Sequence, residues 1–455
     1  MSCRRKLGTA QPANRRDSQS GIALLIALLI IASLTALSLS LVLFTQSETE
    51  LGGTIASESQ AYYAAVAGLE EARGRLYPLA PDAITTLPQQ VNQVLYLVNG
   101  SHHHLVKPLE ASSPYYDYEY AQEFPGGFAS AQVLPWVASD QPGAGTPYVI
   151  PYKWVRITLA TEYASKTDVN QDGILNSTTP IYWDGAHQNL TPPPNGIPVY
   201  MLTALAEEPN SVRKILQEEV VATPPLVPAG GVETAGFATL TGLSARLHRS
   251  ANLTLDGKDA CGGPSVPGIA AGSRIRISGR SNISSSLQDL RPFPQSAPSI
   301  IQSLLPGAVP ILDVDPKQVT LTAGGGSLVG TNVTLGQLPG GSSPGQPVVV
   351  YADRSLEISG FSSTGYGILL VNGNLSITGG FNYQGLIVAN GEVTLDLSSR
   401  GSIDVLGSLI SSGNLSINSS ASPRTSVNLN YDSCVVRDAY RSLPLVVRSF
   451  KQLSF

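Results

Sequence analysis

Nine consecutive residues, Asp168-Val169-Asn170-Gln171-Asp172-Gly173-Ile174-Leu175-Asn176, carry oxygen donors at metal-loop spacing. Asp168, Asn170 and Asp172 fill positions 1, 3 and 5, Gly173 the sharp turn at 6, and Ile174 offers a main-chain carbonyl at 7. This is the first half of a calcium loop. Asn176 stands at position 9. Position 12 is Thr179 in place of a bidentate Glu, so an EF-hand is incomplete, and Asp184 is a later carboxylate. Calcium is the expected ligand, and a plain Asx-rich turn is the alternative. The run His102-His103-His104 reads as a surface loop, because adjacent side chains diverge in either regular structure. Asp353, Arg354, Glu357, Asp396, Arg400 and Asp404 show no repeated pairing in sequence, and they read as solvated turns. No nucleophile triad, phosphate loop or nucleotide fingerprint is visible, so no enzymatic activity is expected.

The elements that must carry these residues follow from composition. Only 13% of the 455 residues are charged, against about 25% in an ordinary domain. With 44 Gly and 33 Pro but 2 Met, 3 Trp and 9 Phe, a helix bundle is disfavoured. A 42% hydrophobic content and a net charge of −5 exclude a disordered chain. A β-rich, turn-rich exported protein fits. Five basic residues (Arg4, Arg5, Lys6, Arg15, Arg16) stand in the first 21 with only Asp17 opposing them. The remainder is acidic, and no nucleic-acid binding is inferred.

Ile22 to Phe44 is 23 residues without a charge, Gly or Pro. As a helix it spans roughly 34 Å, enough for a ~30 Å hydrocarbon core. The basic cluster places the N-terminus in the cytoplasm and the rest outside. A simple signal anchor is one reading. A cleavable secretory signal fits less well, since its apolar run would be shorter. The helical pattern continues beyond the run: Leu51, Ile55, Tyr62, Val66, Leu69 and Leu76 recur at spacings of three, four or seven. A single helix from Ile22 to Tyr77 is expected, with Gly52-Gly53 as its weak point.

Gly21–Leu76 resembles the N-terminal region of PilX-type minor pilins of type IV pili. The resemblance rests on the Gly21/Ile22 junction, the Leu/Ile-rich run with Ser33, Thr35 and Ser38, the Thr45–Glu50 segment, and SQAYYAAVAGLEEARGRL at Ser59–Leu76. It covers about one eighth of the chain. It implies cleavage by a prepilin peptidase after Gly21, leaving Ile22 as the mature terminus. It also implies other pilins as partners through the helix, and a sheet packed on the helix's second half. Two positions depart from the pattern: Ile26 stands where major pilins carry a Glu, and Val66 where the Ala-rich motif commonly has one. The implied localisation is the inner membrane, single-pass with the N-terminus cytoplasmic, then the pilus or cell surface.

Residues 78–225 form a strand-containing middle region, with strand patterns at Tyr148–Thr161, Ile197–Ala206 and Lys214–Ala222. The Pro-rich stretch Thr223–Gly231 marks a boundary. Beyond it a short motif recurs: Asn252-Leu253-Thr254-Leu255, Asn332-Val333-Thr334-Leu335, Asn374-Leu375-Ser376-Ile377 and Asn414-Leu415-Ser416-Ile417. Leu356, Leu375, Val393 and Leu415 follow at steps of 19, 18 and 22. Such a period marks parallel β-helix coils, with second strands at Ile368–Val371, Leu386–Ala389 and Ser408–Ser411. Of the three cysteines, Cys3 lies in the leader. Cys261 and Cys434 are left for the exported part, where a disulfide between them is expected and buried free thiols are the alternative.

The expected fold is mostly β with one long N-terminal helix. Its parts are a basic leader (1–21), a transmembrane plus amphipathic helix (22–77), a small α+β middle region (78–225), a parallel β-solenoid head (226–440) and a C-terminal tail (441–455). The expected function is that of a minor pilin-like subunit. The alternatives are a pseudopilin of a type II-like secretion system, or a membrane-anchored β-helix that binds or degrades polysaccharide.

Overall fold

The computed structural model describes residues 17–78, 80, 82–98, 105–125, 130–135, 152–192, 196–208, 212–242, 253–279, 282–284, 287–289, 296–322, 326–340, 345–397, 401–419 and 425–453. His102-His103-His104 and Arg400 lie outside them.

One helix, α1, runs from Asp17 to Arg75, about 88 Å at 1.5 Å per residue. It begins five residues before the expected Ile22. It also passes unbroken through Gly52-Gly53, where open space surrounds both Cα atoms. Thr49 and Thr54 bond back to the carbonyls of Thr45 and Glu50 on either side of this pair. The second half of α1 lies on a six-stranded sheet. Its strands, in spatial order, are Ser130–Pro135, Gln93–Val98, Tyr152–Leu159, Tyr200–Glu207, Arg213–Val221 and Val446–Leu453. Only the first two pair in parallel. Ala61, Ala65, Leu69, Ala72 and Leu76 form the buried stripe, at steps of three and four. Small residues bring helix and sheet close. At Gly68 a Cβ would sit 2.9 Å from both Tyr152 and Val155 side-chain atoms, so the contact requires glycine.

The last strand changes the expected layout. Val446–Leu453, within the segment expected as a tail, crosses back from the head and pairs antiparallel with Arg213–Val221. The chain therefore joins its middle region to its head at two places. On the sheet's far face, residues 105–125 are held by a buried ionic cluster. Arg156 donates to both Asp117 oxygens at 2.8 Å and to Glu119 at 2.7 Å. Tyr96 adds a bond to Asp117 at 2.9 Å. The charges of Asp117 and Glu119 offset the desolvation of Arg156 and raise its pKa.

From Val232 the chain forms a three-sided parallel β-helix. On the first side Leu328, Leu356, Leu375, Val393, Leu415, Ala238 and Ile275 stack in register. All but the half-buried Ile275 are fully enclosed. The period of about twenty residues is therefore one coil. A Gly column turns the corner into the third side. Gly367, Gly385 and Gly407 all have positive φ, and a Cβ on Gly385 would collide with the Gly367 carbonyl. The third side carries the predicted second strands. Their outward residues Ile368, Leu370, Leu386, Val388 and Ile410 are covered by helices Ala297–Leu304 and Ser433–Tyr440.

Two features of the head go beyond the sequence repeat. The Asn332–Leu335 motif and the strand Leu253–Asp256 do not stack on the 375 column. Thr334 pairs with Thr364, and Leu253 with Val427, both on the second side. A Leu-x-Leu run suits any side of a triangular coil, so the motif does not name its side. Nor do the coils stack in chain order. The first strands, Val232–Thr241 and Leu253–Asp256, pack against Leu409–Ser411, Leu415–Asn418 and Val427–Asn430. The start of the head thus abuts its end.

Candidate functional site

Ile22–Phe44, the first half of α1, is exposed along its whole length, with Ile22 63% and Phe44 62% accessible. Polar groups within it are satisfied locally. Ser33 and Thr35 donate to carbonyls three residues back, and Ser38 to one four back. This is what an apolar environment demands. In water, at about 25 cal/mol per Å2, the uncovered apolar surface costs tens of kcal/mol as an upper bound. The segment is long and apolar enough to cross a membrane. Gly21 and Ile22 both lie within the helix, and Ile26 is exposed. Toward the sheet the character changes: Tyr62 and Val66 are half-buried against it, and Glu58 pairs with Lys214 at 3.4 Å.

The oxygen-rich loop is tightly built. Asp168 accepts the Asp172 and Gly173 N–H groups at 3.2 and 2.8 Å, and Asp172 accepts the Ile174 N–H at 2.8 Å. Gln171 and Gly173 have positive φ, curling the segment around these oxygens. Asn170 donates to Asp172 at 2.8 Å. Asn176 turns away: its amide nitrogen donates to Glu162 at 2.7 Å. Sequence reasoning missed Glu162, which is buried and also accepts the Val169 N–H at 2.7 Å. Burial alone would raise its pKa, but the donors from Asn176, Val169 and Asn170 win and hold it below the ordinary carboxylate value. Asp168, Asn170 and Asp172 therefore share one exposed arc of hard oxygen donors, the chemistry a calcium ion takes.

Cys261 and Cys434 are disulfide-bonded, with Cα atoms 5.6 Å apart. Asp432 lies beside the pair. Asp259 fixes the junction, accepting the Ser433 N–H at 2.9 Å and the Cys261 N–H at 3.1 Å. The scattered head charges stay apart. Asp353 pairs with Arg354 at 2.7 Å at a corner. Glu357 and Asp396 face outward on the first side, and Asp404 on the second, where Asn428 donates to it at 2.7 Å. The cluster of Arg156, Asp117 and Glu119 also escaped sequence reading. Its only signal was Arg156 flanked by Val155 and Ile157 inside the strand Tyr152–Leu159, where Lys153 is a second charge.

No family model matches the chain, and no curated protein matches it. Among solved structures, the chain is similar to the competence-associated pilin ComZ from Thermus thermophilus, at 10% sequence identity. The match covers 87% of this chain and 98% of that one, with a TM-score of 0.18. A score that low carries no inference about fold or role. The chain's own residues define the class: a long helix, bare and apolar for its first half, laid for its second on a sheet that bears a β-helix head.

Proposed function

We propose that the chain is a minor pilin-like, non-enzymatic subunit of a type IV pilus, cut by prepilin peptidase between Gly21 and Ile22 and held in the inner membrane until it joins a filament. The observation that carries this reading is the two-part helix. One half presents bare apolar surface all round, and the continuous other half is locked into a folded body. Such a helix is stable in a bilayer or in a bundle of like helices. Other pilins are therefore the partners, and the head is displayed outside the cell. The pseudopilin reading shares this helix. The anchored polysaccharide-binding reading differs in leaving the leader attached. Replacing Gly21 with Phe is expected to leave the leader on in cells that contain the peptidase, as seen by intact mass. Normal trimming of that variant would reject the reading.

We also propose that Asp168, Asn170, Asp172 and the Ile174 carbonyl hold calcium, with Asn176 anchored by Glu162 at the loop's exit. Calcium is then expected to raise the melting temperature of the parent and not of Asp172→Ala. A parent indifferent to calcium would end this proposal.

A further inference from the structure

A crevice of about 820 Å3 lies where the middle region meets the head. Its volume is in the range of small-molecule sites, which favour such junctions. It is lined by the Thr223–Val227 connection, stiffened by Pro224 and Pro225, and by Ser299, Ile300, Ser303 and Leu304 of the helix Ala297–Leu304. Arg448, on the returning C-terminal strand, also lines it. Its guanidinium stacks 3.4 Å from the Trp183 ring centre. Among the described residues it makes no ion pair; Glu219 acts on it only through its distant charge. Arg448 is exposed at the mouth of the crevice; partial desolvation lowers its pKa, and the Glu219 charge opposes that shift. The contact holds the guanidinium against the indole face, and its N–H groups remain available as a fork. Thr223, Ser296 and Ser299 bring hydroxyls to the same space, the last two bonded to each other at 2.7 Å, and Leu226 and Ile300 bring apolar faces. Asp184 also lines it, its carboxylate already taken up by the Ala186 and His187 N–H groups at 2.8 and 2.7 Å.

We infer that this crevice is a binding site for an acidic saccharide, with Arg448 taking the sugar carboxylate. A planar fork matches a carboxylate bidentately. The hydroxyl-bearing walls suit a polyhydroxylated ring, whose C–H face rests on the apolar residues. Thr223 lies in the connection after the middle region and Ser296 and Ser299 in the head, so the ligand bridges the two. The site is independent of the filament reading, which makes no use of this crevice.

The test is calorimetric titration of the full chain in detergent micelles with trigalacturonate, with its methyl ester, and with inorganic phosphate. Saturable binding of the acid is expected, at least tenfold weaker for the ester and for phosphate. Arg448→Gln is expected to lose at least tenfold in affinity while melting cooperatively as the parent does. Ser299→Phe, which fills the crevice without touching the charge, is expected to abolish binding. No saturable binding of the acid, equal binding of acid and ester, phosphate binding as tight as the acid, or full affinity in either variant would overturn the inference.

Discussion

Glu218 lies on the sheet face covered by α1, between Leu216 and Val220, which are core residues there. Burial raises its carboxyl pKa. Arg73 opposes that shift from the helix above, and Glu70 adds to it. A raised folded-state value means that the folded chain holds this proton more tightly than the unfolded chain. Its stabilising contribution is complete at low pH. It is lost as pH climbs from the ordinary value of 4.5 through the raised one. Glu218→Gln keeps the shape and cannot ionise. Its melting temperature is expected to exceed the parent's by a margin that widens between about pH 4 and pH 7.5, measured by thermal denaturation across that range. A margin independent of pH would contradict the assignment. Arg156 shows the opposite use of a buried charge: its two carboxylate partners reach it, so the cluster fixes residues 105–125 to the sheet.

At the scale of elements, each coil of the head relies on its neighbours. Leu375 is enclosed between Leu356 and Val393. Leu375→Asp would place an unpaired carboxylate in that column. Leu375→Ala would leave a cavity costing about 2–5 kcal/mol. Chemical denaturation is expected to show a lowered midpoint for both, with Asp the more severe. An unchanged midpoint would remove Leu375 from the core. What could be read from sequence tracks how local the signal is. The twenty-residue step is fixed by neighbouring residues, so it was legible. The buried face of α1 was legible only at Leu69 and Leu76, with Tyr62 and Val66 at its edge; Leu51 and Ile55 are exposed, and Ala61, Ala65 and Ala72 carry the contact instead. Pairing of Val446–Leu453 with Arg213–Val221 spans more than 200 residues of chain. Nothing within Val446–Leu453 names its partner strand. The order of the coils was hidden for a related reason, since one apolar pair fits under another whichever comes first. Glu162 was invisible because the loop it anchors begins six residues beyond it.

At the scale of the whole molecule, the chain leaves the first coils of the head and returns to them from the far side. The Cys261–Cys434 bond closes that circuit across a separation of 173 residues. Removing a native disulfide commonly costs about 2–4 kcal/mol. Here the loss should fall on the contact between the opening and closing coils. In the Cys261→Ser/Cys434→Ser chain, limited proteolysis with mass spectrometry is expected to place the earliest new cuts within residues 232–289. An unchanged cleavage pattern would show that stacking alone holds the circuit. The body and head together are too bulky to follow α1 into a bilayer, so only the helix can be exchanged between lipid and protein. In the proposed function, α1 makes this exchange after losing its basic leader. That proposal is tested most directly by shearing filaments from cells that make this chain and measuring its intact mass in the fibre fraction. A polypeptide beginning at Ile22 is expected within the fibres. A chain that retains residues 1–21 and is found solely in the membrane fraction would contradict the proposal.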